Sequence, residues 1–205
     1  MAHVEERFPL FPLGIVLLPT EAVPLHIFEE RYKLMIGECV EADSEFGIVW
    51  LADDGLKEVG CTARVAQVLE RMPDGRMNIL AQGGRPFRML RKIEDMAYPA
   101  GDVELLDDED EGDEELSATA REAYADLVER VTDNRPDGDE LEGLDAYGMA
   151  ATIELAAPPK QALLEERSEE RRLKVVGDLF TTALARIDSA EEAQERAQSN
   201  GKVKF

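Results

Sequence analysis

The residues that come nearest to a nucleotide site are Gly55 to Thr62, with the sequence GLKEVGCT. The phosphate-binding loop GxxxxGK[ST] has this spacing, but Cys61 stands where the loop needs the lysine that contacts the β- and γ-phosphates. Such a loop also opens a helix, whereas the residues that follow have the pattern of a strand. The motif therefore predicts a turn that leads into a strand, and no nucleotide site.

Histidine and cysteine, which supply zinc ligands and nucleophiles, are scarce in this chain: there are two of each, His3, His26, Cys39 and Cys61. The segment HIFEE begins like an HxxEH zinc helix but lacks the second histidine, so we predict a packed or hydrogen-bonded His26 and no metal site. Both cysteines fall on apolar faces, which predicts small core residues that remain free thiols, as in a reducing cytoplasm. No GxSxG or dinucleotide-binding fingerprint is present, and we predict no catalytic residue and no cofactor.

The net negative charge of the chain argues against anionic binding partners. The 205 residues include 45 acidic and 23 basic side chains, a net charge of −22 at pH 7. Nucleic acids and anionic lipids bind through cations that displace counterions, so both are predicted to be poor partners. Apolar stretches are too short to span a membrane, and the first residues do not resemble a signal peptide. We therefore expect a cytoplasmic protein.

Residues 1–106 have the short apolar runs and turns of a β-rich subdomain. Met72 to Gly75 contain Pro-Asp-Gly, which is typical of a hairpin turn. The first run suggests an edge strand, a break at Gly14 and a second short strand. The predicted strands lie within Phe8–Pro19, Phe46–Ala52, Val59–Glu70, Arg76–Gln82, Pro86–Ile93 and Asp102–Leu106.

One helix interrupts this β-rich region. Apolar residues recur at helical spacing from Phe28 to Val40, and Glu29 and Glu30 fall in the first turn, where the helix dipole favours acidic side chains. The pattern predicts an amphipathic helix whose apolar face consists of Phe28, Tyr32, Met35, Ile36, Cys39 and Val40.

The second half of the chain is predicted to be helical. Residues 107–115, DDEDEGDEE, form an acidic run that we interpret as a solvated linker. Residues 116–188 then form an α-helical subdomain, with helices over 116–131 and 141–155, a short one from Pro158 and a last one capped by Ser168. Residues 189–205 are interpreted as a frayed polar tail.

Several of these segments, in this order, resemble the Lon N-terminal, or Lon substrate-binding, domain family. They are FPLFPLGIVLLPTEAVPLHIFEERY from Phe8, FGIVWLA from Phe46, EVGCTARVAQVLERMPDGRMNILAQGGRPFRML from Glu58, and AAPPKQALLE from Ala156. The similarity covers about residues 8–187. Cys61 replaces the more usual Thr, and Pro86 stands where a basic residue is common, which predicts an edge or bulged strand there.

The resemblance implies an α+β fold: a PUA-like pseudo-β-barrel with one inserted helix, followed by a C-terminal subdomain like a four-helix bundle. In Lon proteases this domain precedes an ATPase module and a Ser-Lys protease module and helps to recognise substrates. We expect this chain to be a stand-alone member without those modules, and not an enzyme.

Three functions remain open at this point. The first is a non-catalytic module that binds unfolded or partner polypeptides, with an adaptor or substrate-recognition role in proteolysis. The second is a PUA-like domain that binds small molecules or RNA, and the third is an enzyme whose site has no sequence signature. Fold alone does not decide among them.

The predicted peptide-binding residues lie at the start of the first helix. Glu30 and Arg31 fall off its apolar stripe and should point outward, where they could orient a bound segment. Phe28, at the helix entry, could anchor such a segment, or alternatively staple the helix to the barrel. Pro19 and Pro24 would hold the approach to the helix extended.

Overall fold

The computed structural model describes residues 3–200, which divide into two compact units. The first unit contains the residues up to 110 together with 150–167, and the second contains 111–149 and the residues from 168 onward. The strands are β1 His3–Leu13, β2 Ala22–Ile27, β3 Phe46–Ala52, β4 Gly55–Arg71, β5 Met77–Ile93 and β6 Ala100–Leu105. The helices are α1 Glu30–Ala42, α2 Glu114–Thr132, α3 Gly138–Leu141, α4 Ala146–Ala151, α5 Ala157–Glu165 and α6 Glu169–Asn200.

The six strands of the first unit form one sheet that closes on itself. Their order is β2-β5-β4-β3-β1-β6, and β5 also pairs with β6. The ring therefore consists of β5, β4, β3, β1 and β6, with β2 attached to the first half of β5. β1 and β3 run parallel, and the other pairs are antiparallel. The predicted α+β fold, a β-barrel with an inserted helix and a helical C-terminal region, is confirmed.

The barrel interior is filled by apolar side chains from its strands. One buried cluster combines residues of β1, β3, β5 and β6. Phe8 and Phe87 meet edge to face within it, with ring centroids 5.9 Å apart. Gly60 and Gly47 line the same space, because a Cβ on either would lie within 2.7 Å of the Phe87 ring. The cluster consists of Phe8, Leu10, Val49, Phe87 and Val103.

The prediction that β1 is an edge strand is wrong, since β1 lies between β3 and β6. Its two prolines are tolerated because the nitrogen of each, which carries no hydrogen, faces a side where no strand pairs with it. The Leu10 N–H donates to Pro99 O on the β6 side. Because backbone nitrogens alternate between the two neighbouring strands, the nitrogen of Pro12 also faces the β6 side. It lies beyond the last β1–β6 pair, Pro9 with Ala100, so no hydrogen bond is lost there. Pro9 faces β3, whose pairing begins only at Leu10. The second short strand is β2, not residues 15–19.

The two predicted strands 76–82 and 86–93 are a single strand, β5. Gly83 and Gly84, in the middle of β5, do not form a turn. Their lack of a side chain lets neighbouring residues approach the β5 backbone closely. A Cβ on Gly83 would lie 2.0 Å from Leu18 O, and one on Gly84 would lie 2.4 Å from Thr62 Oγ1. The pairing with β4 shifts register next to Pro86, so the predicted bulge is present, although β5 is not an edge strand.

Helix α1 begins two residues later than predicted. Glu29 is its N-cap, and the helix ends at Asp43, a left-handed residue (φ 49°) whose N–H donates to Cys39 O. Of the predicted apolar face, Tyr32, Met35, Ile36 and Cys39 are buried, and Val40 is half-buried. Phe28 lies outside the helix and is exposed, so its assignment to that face is wrong.

The second unit is built on the packing of α2 against α6. Asp113 caps α2 by accepting from the N–H groups of Glu115 and Leu116, so the end of the acidic run belongs to a helix. The predicted helix 141–155 is interrupted by Gly143 at φ +79°, which separates α3 from α4. Helix α6 continues to Asn200, past the point where we predicted a frayed tail; residues 201–205 lie outside the described part of the chain.

Helix α5 clusters with the barrel, not with the helical unit to which the sequence assigned it. The Gln161 Nε2 amide donates to Val59 O at 3.1 Å, and Lys160 pairs with Glu21. The first part of the acidic run is also held within this unit, because the Glu109 N–H donates to Arg167 O at 2.8 Å. This part of the run is therefore hydrogen-bonded to the residues that follow α5.

Candidate functional site

A groove of about 640 Å³ opens at one end of the barrel. It is formed where β1 and β3 end, where β4 begins, and where β2 leads into α1. We call it the barrel-end groove. It is lined by Phe11, Pro12, Leu13, His26, Ile27, Phe28, Glu29, Arg31, Tyr32, Leu51, Leu56, Lys92 and Pro99.

Most of the lining is apolar, and two of its large side chains are open to solvent. Phe28 is 58% exposed and Leu51 is 53% exposed, whereas Phe11 and Tyr32 are buried. The rings of Phe11 and Tyr32 pack with centroids 4.2 Å apart. Exposed apolar side chains gathered at one concave site mark binding surfaces more often than isolated ones do.

Phe28 is held in place by a stacked neighbour. The His26 and Phe28 rings lie 5.8 Å apart at an interplanar angle of 20°. His26 Nδ1 is 2.6 Å from Asn78 Oδ1, and the Asn78 amide donates to Glu70 Oε2 at 2.8 Å. Because the amide nitrogen of Asn78 is used by Glu70, its oxygen is the acceptor and His26 Nδ1 is the donor. This chain of hydrogen bonds crosses β2, β5 and β4 and fixes the imidazole on which Phe28 stacks.

Arg31 is also held before any ligand arrives. Its Nε donates to Glu29 Oε2 at 3.0 Å, its Nη2 lies 2.8 Å from the same oxygen, and its guanidinium lies 4.6 Å from the centre of the Tyr32 ring. Burial raises the pKa of Tyr32, and the nearby Arg31 charge opposes part of that shift. Arg31 therefore carries a charge that is already matched by Glu29.

Two of the three predicted site residues, Phe28 and Arg31, line this groove, and Glu30 does not. The Glu30 carboxylate instead pairs with Lys33 Nζ at 2.5 Å, one turn along α1. The exposure of Phe28 also disagrees with the alternative in which this ring staples the helix to the barrel. Sequence reasoning missed Leu51, Leu56 and Lys92, because they reach the groove from strands that are far from α1 in sequence. The sequence did carry one indication of this part of the groove: Leu51 and Leu56 flank the Asp53-Asp54 turn between β3 and β4.

The other residues considered for chemistry lie within the core. Cys61 is fully buried in β4, and Cys39 is on the buried face of α1; both are free thiols, as predicted. Burial raises the pKa of both thiols, which is opposite to what a nucleophile requires. Gly55 to Thr62 form the start of β4 and not a phosphate loop, so the predicted strand is confirmed, whereas the turn lies earlier, at Asp53 and Asp54.

Residues 3–200 contain neither a candidate metal cluster nor a candidate membrane span. Within that part of the chain, no group of three or more His, Cys, Asp or Glu side chains is placed to hold a metal ion. None of the helices described there combines the length and the apolar character needed to cross a bilayer.

Comparison with known proteins identifies the family. Residues 7–182 match the family model for the ATP-dependent protease La (LON) substrate-binding domain. The chain belongs to this family. The family resemblance predicted from the sequence is therefore confirmed over most of the chain. It was based on the segment that begins at Phe8, the strand that contains Gly60 and Cys61, and the Pro-Asp-Gly hairpin.

Solved structures of the family share the fold. A Lon N-terminal domain protein from Xanthomonas campestris superposes with a TM-score of 0.63 at 27% identity, covering 82% of this chain and 94% of that one. The N-terminal domain of the Mycobacterium avium complex Lon protease gives a TM-score of 0.64 at 22% identity, covering 86% of this chain and 98% of that one.

Relatives in the family include whole Lon proteases. The Lon protease of Brucella suis is 25% identical over 185 residues, which are 82% of this chain and 23% of that protein. The Lon protease of Parabacteroides distasonis is 30% identical over 126 residues, 56% of this chain and 15% of that protein. The chain thus spans less than a quarter of the length of either relative.

Proposed function

We propose that the chain is a polypeptide-binding module that acts without catalysis and holds an exposed apolar segment of another protein in the barrel-end groove. Membership of a substrate-binding family supports a polypeptide partner in general terms. The observation that carries the proposal is the solvent-exposed pair Phe28 and Leu51 at the rim of a concave apolar site.

The chemistry of the groove suits an apolar segment. Covering exposed aromatic and aliphatic carbon releases roughly 25 cal/mol per Å², and a ring such as Phe28 offers a large area. The hydrogen bonds from His26 to Asn78 and on to Glu70 limit the motion of the stacked rings before binding. Fewer degrees of freedom are then lost when a segment docks, which favours affinity.

We propose that both predicted binding residues that line the groove, Phe28 and Arg31, contact the bound segment. Phe28 provides the anchor surface, and Arg31, fixed by Glu29, provides polar atoms beside it. Glu30 faces Lys33 instead, so we assign it no contact with the bound segment.

Binding is tested with a permanently unfolded polypeptide, such as reduced and carboxymethylated α-lactalbumin carrying a fluorophore, by fluorescence anisotropy. We expect saturable binding that weakens about tenfold or more in Phe28→Ser, because a large apolar contact is lost. Leu51→Ser should weaken binding as well. The matched control is Leu90→Ser, which removes a leucine of nearly equal exposure, 52% against 53%, from outside the groove.

Equal loss in Leu51→Ser and Leu90→Ser would contradict the assignment of binding to the groove. Tighter binding to a single-stranded RNA of matched length than to the polypeptide would favour the RNA-binding alternative. The net charge of −22 makes the opposite result the expected one.

We further propose an adaptor role in proteolysis, in which the module delivers apolar clients to a protease. Addition of the chain to a reaction in which a full-length Lon protease degrades the same unfolded polypeptide should raise the rate, and Leu51→Ser should remove that increase. A rate that falls as the chain is added would show sequestration of the client and would contradict delivery.

A further inference from the structure

Lys92 gives the barrel-end groove an unmatched positive charge. Three of the lining residues are formally charged: Glu29, Arg31 and Lys92. Glu29 and Arg31 pair with each other at 2.8 Å. Lys92 is exposed and makes no ion pair or side-chain hydrogen bond with any residue in 3–200. One carboxylate and two cations leave the groove with a net charge of +1 on a chain whose total is −22.

Other cations near this end of the barrel are already neutralised. The Lys57 ammonium lies 2.7 Å from Asp54 Oδ2 and also rests over the Trp50 ring. Lys33 is paired with Glu30 and donates to Asp74 O at 3.0 Å. In a chain with about two acidic side chains for each basic one, an ammonium at an apolar groove without a carboxylate partner is available to a ligand.

From this arrangement we infer that the groove selects apolar segments flanked by an aspartate or glutamate side chain, whose carboxylate pairs with Lys92. This inference rests on the proposed function, and it specifies the class of segment bound. A segment that covers the apolar lining also removes water around Lys92, and a charge pair gains strength as its surroundings become less polar.

A side-chain carboxylate fits this site better than a chain terminus. The ammonium of a single lysine, at the end of a flexible four-carbon side chain, can donate to carboxylates at several positions along a bound peptide. Capture of a C-terminal carboxylate commonly uses a nest of several backbone N–H groups. The expected occupant is therefore an internal apolar segment with acidic flanks.

The selection opposes the field of the rest of the protein. A charge of −22 attracts basic segments at long range and repels acidic ones, and salt screens this effect beyond about 8 Å at physiological ionic strength. Contact with Lys92 acts within the groove, at much shorter range. Preference for acidic flanks would consequently be a property of the groove and not of the overall charge.

The test uses four labelled peptides that share the apolar core FLAFL and differ only around it. Three are acetylated and amidated, with Asp, Asn or Lys on both sides of the core; the fourth has Asn flanks and a free C-terminal carboxylate. Affinities are measured by anisotropy for the full-length wild-type chain, Lys92→Gln and Lys92→Glu. The control is Lys57→Gln, which removes an ammonium that is already paired and lies outside the lining.

We expect the Asp-flanked peptide to bind the wild-type chain about fivefold more tightly than the Asn-flanked one, the gain typical of an ion pair that is partly desolvated. The difference should vanish in Lys92→Gln, reverse in Lys92→Glu and persist in Lys57→Gln. The melting temperature should be unchanged in both Lys92 variants, because Lys92 is exposed and has no partner within residues 3–200, and should fall only slightly in Lys57→Gln, which loses the Asp54 pair and the Trp50 contact.

Equal affinity of the wild-type chain for Asp- and Asn-flanked peptides, or a difference that persists in Lys92→Gln, would overturn the inference while leaving the proposed function standing. Preference for the free C-terminus over the Asp flanks would overturn it as well. Failure of every peptide to bind folded wild-type protein would refute the proposed function, and the inference with it.

Discussion

The two units place polar and apolar groups in opposite ways. The barrel unit leaves Phe28 and Leu51 open to solvent at its end groove, while the helical unit buries a full charge, with Arg172 only 1% exposed. Both arrangements are unfavourable unless something compensates for them. In the helical unit the compensation is internal and already present, whereas in the barrel unit we propose that a bound segment provides it.

The buried arginine shows what internal compensation requires. Arg172 Nη2 lies 2.7 Å from Glu169 Oε2, and the guanidinium stacks 4.3 Å from the centre of the Tyr147 ring. The other Glu169 oxygen accepts from the Ala146 N–H at 2.8 Å. Burial raises the pKa of Glu169, and the hydrogen bond from Ala146 and the charge of Arg172 oppose that shift. These contacts tie α4 to the start of α6 within the helical unit.

The largest expected effect comes from removing this arginine. Arg172→Ala leaves the Glu169 carboxylate buried without its partner, so we expect the free energy of unfolding to fall by about 3–5 kcal/mol. Urea denaturation followed by circular dichroism measures it. Lys174→Ala, which breaks the exposed pair with Glu170, is the control and should cost about 0.5 kcal/mol or less. A similar small loss in Arg172→Ala would show that the cluster contributes little.

A somewhat smaller effect is expected in the barrel, where backbone segments approach closely. Gly83→Ala places a methyl group 2.0 Å from Leu18 O, a backbone atom in a segment that is hydrogen-bonded to Gly83 itself through Thr20 N–H and Glu21 O. We expect a loss of about 2–3 kcal/mol, in the range for overpacked sites. Gly14→Ala, where a Cβ meets open space, should change stability far less. Thermal denaturation of the two variants should therefore separate clearly.

The smallest effect sharpens the description of the groove. Asn78→Ala removes the acceptor that fixes His26, so we expect a stability loss of about 1 kcal/mol and a two- to threefold weaker affinity for the unfolded polypeptide. Gln82→Ala is the matched control, because Gln82, also in β5, accepts a hydrogen bond from Arg64 of β4 and does not line the groove. Equal affinity in both variants would show that the ring stack needs no such support.

Local patterns predicted the elements better than the site. Tyr32, Met35, Ile36 and Cys39 repeat at helical spacing, and the structure buries all four. The barrel and the family were predicted from ordered motifs. The continuity of β5 was not, because Gly83 and Gly84 have the composition of a turn although their small size serves close packing.

The groove depends on contacts between distant parts of the chain, which periodicity does not reveal. Leu51 and Lys92 come from β3 and β5, and neither is near Phe28 in sequence. Helical spacing indicated that Glu30 and Arg31 point outward, but not which neighbours they meet. Arg31 is drawn to Glu29 at the groove, and Glu30 to Lys33 away from it. The role of Arg31 in binding stays a prediction, and we propose none for Glu30.

The most direct measurement of the central claim is photo-crosslinking, with the FLAFL peptide carrying a benzophenone side chain within its apolar core. After irradiation with the full-length chain, digestion and mass spectrometry locate the adducts. The groove account predicts adducts on residues 26–32 and 51–56, reduced by excess unlabelled peptide and by Leu51→Ser. Adducts concentrated on the helical unit, within residues 111–149 and 168–193, would contradict it.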